Sequence, residues 1–374
     1  MKTYGIDANV LTRAKKTGTE RYTRELLREM MTFPLQDDER VILYSSALIP
    51  DFVNLPKGWE LKILDWKLKK GWTHMRLSWE LLVRTPNLFF SPAHEIPLFH
   101  GRTKIVSTVH DVAFRLVPEV YTEANRKRQE WAVGRAVKQA KRIITVSETT
   151  KNDLMRFFGV AKEKIVPIHL AVKPEQFMVS NEKQQEILNK YHLNPGLYFV
   201  SVGRIEKKKN IPFLLDAFDA FKKDRGIGDP YCLVLIGSMG EERAEIEAQL
   251  NQLACKDSIH GLGYLPDEEI RAILSGAIGY VFPSNYEGFG IPSLEAMASR
   301  IPLIASDIPA LREVAGEAAI FCGPKDVGAW KNAMKIIADD QAMRADLVLK
   351  GSERLQDFSW KKTAEKTWEV LRGV

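Results

Sequence analysis

Cysteine is scarce in this 374-residue chain: Cys232, Cys255 and Cys322 are far apart and odd in number. Such spacing excludes a disulfide framework and a zinc site, and it suits a reducing compartment. No apolar run approaches the roughly 18 residues that a membrane-spanning helix needs. The opening "MKTYGIDANVL" has one early Lys and no apolar stretch, so no secretory leader is expected. These absences predict a cytoplasmic protein. What is present has the balance of a globular chain, 45% hydrophobic and 27% charged, and the length suits two domains.

Charge is unevenly spread. The net charge is +6, but residues 1–172 hold 29 Lys and Arg against 19 Asp and Glu, whereas the remainder holds 25 against 29. The first half therefore predicts an anionic partner: nucleic acid, a phospholipid surface or a phosphorylated substrate.

Short apolar segments alternate with longer helical patterns along the whole chain. "TYGIDA", "RVILYSS", "NLFFSP", "KIVSTVHD" and "RIITVS" read as strands in the first half, and "LYFVSVGR", "PYCLVLIGS", "SIHGLGYL", "GAIGYVFPS" and "IPLIAS" in the second. Alternation of this kind implies parallel sheets covered on both faces by helices. Two such series imply two doubly wound α/β domains, joined near "AVKPEQFMVSNEKQQ" where the pattern lapses. Ligands of such sheets sit beyond the carboxyl ends of the strands. Gly18, His110 with Asp111, Arg204, Gly237 and Glu287 all fall there, which predicts one cleft between two facing domains.

Two stretches carry the chemistry. "SNYEGFGIPSLEAMA" (284–298) reads as strand exit, glycine turn and helix, with Pro292 and Glu295 in the first helical turn and Glu287 at the strand exit, a carboxylate on each side of the glycine turn. A helix N-terminus takes an anion, and carboxylates beside it suit sugar or ribose hydroxyls. A capped helix with Glu295 complementing the dipole is the plainer reading. "VGRIEKKKNIPFLLDAF" places Arg204 at a strand exit and Lys209 at a helix start, with Asn210 as the expected N-cap. A guanidinium and an ammonium there make a diphosphate grip, Arg as a fork and Lys as a point charge. Lys207 and Lys208 read as solvated turn residues.

In order and spacing, "GRIEKKKN", "GLGYLPDEEI", "PSNYEGFGIPSLEAMA" and "IASDIPALREVAG" resemble the retaining family-4 glycosyltransferases of GT-B fold. The resemblance spans nearly the whole chain and is densest over 200–323. It implies two facing Rossmann-like domains with an interdomain cleft: residues 1–172 binding the acceptor and 173–359 the nucleotide sugar. A helix over 360–374 would cross back to the first domain.

The resemblance also implies roles. Arg204 and Lys209 would hold the donor diphosphate, Glu295 the ribose and Glu287 the donor sugar. Gly18, Gly237, Leu262, Phe289, Gly290 and Ile291 would complete the donor site. His110, in "STVHDVAF", would lie over the transferred sugar, and His110, Arg204, Lys209 and Glu287 would form the catalytic set. Gly18, Thr19 and Asp111 would face the acceptor. Two positions depart from the family pattern. Thr17-Gly18-Thr19 stands where two adjacent glycines are common, and Arg300 stands where a C-capping Gly is usual, which predicts local strain or a shifted cap.

No Asp-x-Asp stands at a strand end to hold a metal on the diphosphate, so neither a metal nor a bound cofactor is expected, and cations with helix amides would stabilise the leaving group. The segment 55–84 holds four of the eight Trp and seven Lys and Arg against three acids. It suits an anionic membrane interface. It suits equally a half-buried helix and loop with snorkelling lysines. Single-stranded nucleic acid is the weaker partner.

The first half, through "NLFFSPAHEIPL", resembles mannosyltransferases of bacterial surface polysaccharide assembly. The resemblance implies retaining transfer of a hexose from a nucleoside diphosphate sugar, GDP-mannose first, to a lipid-linked saccharide at the inner face of the cell membrane. A sugar-nucleotide epimerase of the same fold and a non-catalytic binding protein are the rivals.

Overall fold

The computed structural model describes residues 1–13, 18–68, 71–240 and 242–374. Thr17 of the expected glycine loop, and Lys69 and Lys70 of the 55–84 segment, lie outside the described residues. Two compact units are present: residues 1–170 with 359–374, and residues 171–358.

The first unit holds seven strands among the described residues: β1 (Lys2–Asp7), β2 (Glu39–Ser45), β3 (Trp59–Ile63), β4 (Leu88–Ser91), β5 (Lys104–Val109), β6 (Arg142–Thr145) and β7 (Ile165–Pro167). Their order is β3-β2-β1-β4-β5-β6-β7, and each neighbouring pair runs parallel. The second unit holds β8 (Tyr198–Val202), β9 (Cys232–Ile236), β10 (Ile259–Gly263), β11 (Gly279–Phe282), β12 (Leu303–Ser306) and β13 (Ala319–Cys322), ordered β10-β9-β8-β11-β12-β13 and likewise parallel. Central strands such as "YFVSV" and "GYVF" are apolar on both faces because helices cover both. Strand order reverses between β1 and β4 in one sheet and between β8 and β11 in the other. Those are the topological switch points, where a crevice opens beyond the strand ends.

Helix ends follow the local chemistry. Ser147 caps Glu148–Phe158 by accepting from the Thr150 amide, and Gly159 ends it in the left-handed region. Asp340 caps Gln341–Leu355 through the Met343 amide. After Ile291–Ala298, Arg300 takes φ 56°, its amide bonding the Met297 carbonyl while the Ile301 amide bonds that of Ala296. This is a complete Schellman cap with Arg in the left-handed position that Gly fills without steric cost. The departure noted at Arg300 therefore leaves strain, and the cap does not shift.

The terminal helix Trp360–Arg372 belongs to the first unit. Trp368 is buried, edge-on to Tyr4 at 5.5 Å and to Trp59 at 6.1 Å, and its indole N–H donates to the Met30 carbonyl at 3.2 Å. Arg372 makes a two-pronged bond to Glu39 (3.1 and 2.8 Å), and the Tyr4 hydroxyl donates to the same carboxylate at 2.9 Å. Burial alone would raise the Glu39 carboxyl; bonds from Arg372, the Gln36 amide and Tyr4 outweigh it and hold the pKa low.

At the other end of β1, Asp7 accepts from the Asn9 amide at 2.9 Å. Desolvation there outweighs that bond and, with Glu95 nearby, raises the carboxyl to about 7.

Two outcomes follow from these packing arrangements. Trp368→Ala removes a buried indole and leaves a cavity, so the first unit should lose about 3–5 kcal/mol. Hydrogen exchange should accelerate in β1 and β2 and remain unchanged within 171–358; the reverse pattern would refute this packing role. Because the folded pKa of Asp7 lies above its unfolded value, its stabilising contribution is present below the ordinary carboxylate range and is lost as pH rises through about 7. Asp7→Asn should flatten the decline of melting temperature across that window; an unchanged slope would assign the decline elsewhere.

Candidate active site

In the second unit, strand β8 runs out through Gly203 into Arg204, and β11 runs out through Pro283 and Ser284 into Glu287. Tyr280 ties the two strands at the switch point. Its hydroxyl donates to the Val202 carbonyl and accepts from the Val202 amide, both at 3.0 Å. Burial, with Glu295 and Glu287 nearby, pushes that hydroxyl well above its ordinary pKa, so it stays a neutral donor.

Arg204, Lys209, Phe282, Pro283 and Ser284 line one pocket. Lys209 Nζ donates to Glu287 Oε1 at 2.5 Å and lies 5.9 Å from the centre of the Phe282 ring. The pair is largely buried, and Glu287 takes one of the three N–H bonds that the ammonium can make. Arg204 is more exposed. Its Nε lies 3.3 Å from Glu206, which leaves most of its donor fork available to an anion. Sequence spacing alone did not reveal that Lys209 and Glu287, 78 residues apart, touch.

Close backbone packing sets the shape of this edge. A Cβ on Gly237 would stand 1.9 Å from the Gly203 carbonyl oxygen, and Gly237 itself has φ 145°. Its amide donates to Gly263 at 2.8 Å, while the Gly203 amide donates to Ile236 at 2.8 Å. Any side chain at Gly237 would displace the turn that carries Arg204. Leu262 is the extra residue of a bulge in β10, opposite the Leu235–Ile236 step of β9, and is half-exposed at that strand end.

Gly290 starts the helix Ile291–Ala298 at φ 103°, where a Cβ would meet Leu311 at 2.4 Å. Pro292 sits in the first turn as expected. Glu295 lies in the second turn, not the first, and is buried; the dipole explanation for it therefore weakens, since that effect fades beyond the first turn. The Phe289 side chain is core, edge-on to Phe358 at 5.9 Å, so only its main chain can face a ligand. Ile291 is half-buried.

Asn210 departs from its expected capping role. It takes φ 56°, and its side chain donates to the Pro324 carbonyl at 2.8 Å, leaving the amides of the helix Ile211–Arg225 without a side-chain cap. Lys207 is ion-paired with Glu245 at the surface, in keeping with a solvated turn.

Ser284 was missed by sequence reasoning. Its Oγ is fully buried with no hydrogen-bond partner among the described residues, in the same pocket wall as Arg204 and Lys209. The only signal was its place just after Pro283 at a strand end.

The first unit gathers a second group of polar residues at its own switch point. His110, after β5, is half-buried. Its Nε2 lies 2.8 Å from the Pro92 carbonyl and must donate to it, and its ring meets Tyr22 edge-on at 4.9 Å. Desolvation lowers its pKa, so the ring is neutral at pH 7 and Nδ1 is an acceptor. The backbone thus satisfies one of its two ring nitrogens. Asp111 Oδ1 accepts from the Ala113 amide at 3.0 Å. Gly18 opens the helix Gly18–Met30; a Cβ there would meet no atom of the described residues within 4 Å, so their packing gives no reason for a glycine. Thr19 is half-exposed beside it. His94, which sequence reasoning passed over, lies near His110 and Asp111, and Asp7, also passed over, ends β1 at this switch point. Burial lowers the His94 pKa against the pull of Glu95 and Asp111.

Comparison with known proteins identifies the family and the fold. Residues 183–354 match the family "Glycosyl transferases group 1", and residues 17–176 match "Glycosyltransferase Family 4". The chain is 30% identical over 298 residues to the O-antigen chain mannosyltransferase RfbU of Salmonella typhimurium, covering 79% of this chain and 76% of that one. It is 29% identical over 293 residues to O-antigen chain mannosyltransferase B of Escherichia coli, covering 78% and 76%. In structure it is similar to the sucrose-phosphate synthase of Thermosynechococcus elongatus (TM-score 0.78, 20% identity, 100% of this chain and 99% of that one). It is also similar to Anabaena HepE in complex with UDP and glucose (TM-score 0.77, 15% identity, 100% of both chains). With its two Rossmann-like parallel sheets and these relatives, the chain belongs to the family-4 glycosyltransferases and is a hexosyltransferase of GT-B fold.

Proposed function

We propose that the protein is a retaining mannosyltransferase that takes mannose from GDP-mannose and attaches it to a hydroxyl of a lipid-linked saccharide in surface polysaccharide assembly. The observation that carries this reading is the Lys209–Glu287 contact at 2.5 Å, with Arg204 in the same pocket wall. Two cations beside one carboxylate, at adjoining strand ends, suit a sugar diphosphate: the cations take the phosphates and the carboxylate takes a sugar hydroxyl. The O-antigen mannosyltransferases among its relatives support mannose and a lipid-linked acceptor, and the UDP bound by HepE supports a nucleotide donor. An acceptor of that kind would bring the enzyme to the inner face of the cell membrane.

In this reading Arg204, Lys209 and the buried Ser284 hydroxyl hold the diphosphate. Glu295 takes the ribose and Glu287 the sugar, with the Phe289–Ile291 main chain, Gly237 and Leu262 shaping the donor site. His110, neutral and with Nδ1 accepting, takes a hydroxyl of the transferred sugar. Gly18, Thr19 and Asp111 face the acceptor. The bond from sugar C1 to the phosphate oxygen breaks, and the acceptor oxygen bonds C1 from the same face. The acceptor proton passes to the departing phosphate, which the two cations and no metal stabilise.

Each cation is asked for a few kcal/mol of leaving-group stabilisation, so Arg204→Ala and Lys209→Ala should each lower turnover at least ~100-fold. Near-normal rates in both would remove their assigned roles. Of a panel of nucleotide sugars, GDP-mannose should give the largest rise in melting temperature. Transfer should continue in excess EDTA; loss restored by Mn²⁺ would replace the cation-only account. Release of free sugar of altered configuration without an acceptor would instead make the protein an epimerase.

A further inference from the structure

The aromatic segment 55–84 divides into two chemistries on folding. Trp59 is buried against Trp368, and Trp72 is buried with its indole N–H on the Leu64 carbonyl at 2.9 Å. Trp79, by contrast, is 65% exposed on the helix Leu77–Val83, whose Leu77, Ser78, Glu80 and Leu81 face inward. Met75, Leu82 and Val83 are exposed with it, at the spacing that lines one helix face.

Two neighbouring elements extend this face. The Phe99 amide donates to Ser78 Oγ at 3.2 Å, and the Phe99 ring is 62% exposed. Leu82 lies over Gly101, 3.6 Å from where a Cβ would stand. Trp131, on the helix Glu123–Gln139, meets His74 edge-on at 5.3 Å and is also exposed. Arg135 stacks over Trp131 at 5.2 Å and donates to the Pro97 and Leu98 carbonyls. Single exposed apolar residues need no explanation, but a continuous patch of this kind does.

The border of the patch is cationic. Arg84 is exposed at the helix end, and Lys2, Arg102 and Lys104 line a pocket with Thr85–Leu88 and Val374. Arg126, Lys127 and Arg128 are exposed on the Trp131 helix. Four acids nearby are ion-paired. Glu80 is buried with Lys62 at 2.5 Å, Arg76 at 3.4 Å and Arg84 at 4.0 Å, while Glu130 pairs with Arg115, Glu123 with Lys127 and Glu95 with Arg128. The Val374 carbonyl oxygen takes Lys104.

We propose that this face of the first unit docks on an anionic phospholipid surface, with Trp79, Phe99, Trp131 and their aliphatic neighbours entering the interface and Arg84, Arg102 and Arg126 on the headgroup phosphates. Apolar residues ringed by cations match the apolar-below, anionic-above profile of such a surface. A second copy docked on this face would bring two cationic rims together, which disfavours self-association. The proposal stands on the surface alone and holds whichever sugar or acceptor the enzyme uses.

Flotation of the full chain with vesicles of phosphatidylcholine, with and without phosphatidylglycerol, tests it. Binding is expected to the anionic vesicles, weakening as salt rises. Trp79→Ser and Phe99→Ser should each cut partition about tenfold. Arg84→Gln and Arg102→Gln should each cut it about fivefold. Melting temperatures should stay unchanged, since all four side chains are exposed and Glu80 keeps Lys62 and Arg76 when Arg84 is replaced. Brominated lipid should quench tryptophan fluorescence of the unaltered protein. Absence of both binding and quenching would overturn the proposal, as would binding that none of the four substitutions alters. A concentration-dependent dimer that Trp79→Ser dissolves would assign the face to a second copy instead.

Discussion

Parallel pairing is the constraint on which the rest depends. When every strand runs the same way, each connection must cross back over a sheet face, and all the carboxyl ends gather on one edge. Where successive crossovers change face, neighbouring strand ends diverge and leave a crevice. Here that happens once in each sheet, between β1 and β4 and between β8 and β11. Residues distant in sequence are therefore delivered to one place: Arg204 and Glu287 at one switch point, and Asp7, His94 and His110 at the other.

The edge that carries Arg204 is built as much from main chain as from side chains. Gly203 and Gly237 approach so closely that a single methyl would collide with a carbonyl oxygen, and the Tyr280 hydroxyl ties both polar groups of Val202. The turn carrying Arg204 is therefore held by backbone bonds and not by the guanidinium's own partners. Such preorganisation is what electrostatic stabilisation of a leaving phosphate requires, because rearranging dipoles during the reaction would cancel the gain.

The terminal helix shows a different use of burial. Trp368 fills space between Tyr4, Trp59 and the Met30 carbonyl, and Arg372 anchors on a carboxylate that Tyr4 also binds. Residues from both ends of the chain thus complete one core. Trp59, which in sequence belongs with an aromatic and basic surface segment, is used up in this packing. Trp79 is what remains outside.

The sequence by itself determined the architecture. Apolar segments alternating with helical patterns were enough to read two parallel α/β series, and glycines and prolines at strand exits marked where ligands would sit. It also placed Arg204, Lys209, Glu287 and Glu295 in spaced motifs that resemble one enzyme family. What it could not supply were relations that depend on tertiary packing. Asn210 has the chemistry of an N-cap, yet a carbonyl at Pro324, 114 residues on, claims its side chain. Ser284 is an ordinary serine in sequence and a buried, unpartnered hydroxyl in the fold. The four tryptophans of 55–84 look alike as a string, and only packing separates core from surface. Local pattern reports the period and chemistry of a segment; which neighbour satisfies or desolvates each group is decided by chain brought in from far away.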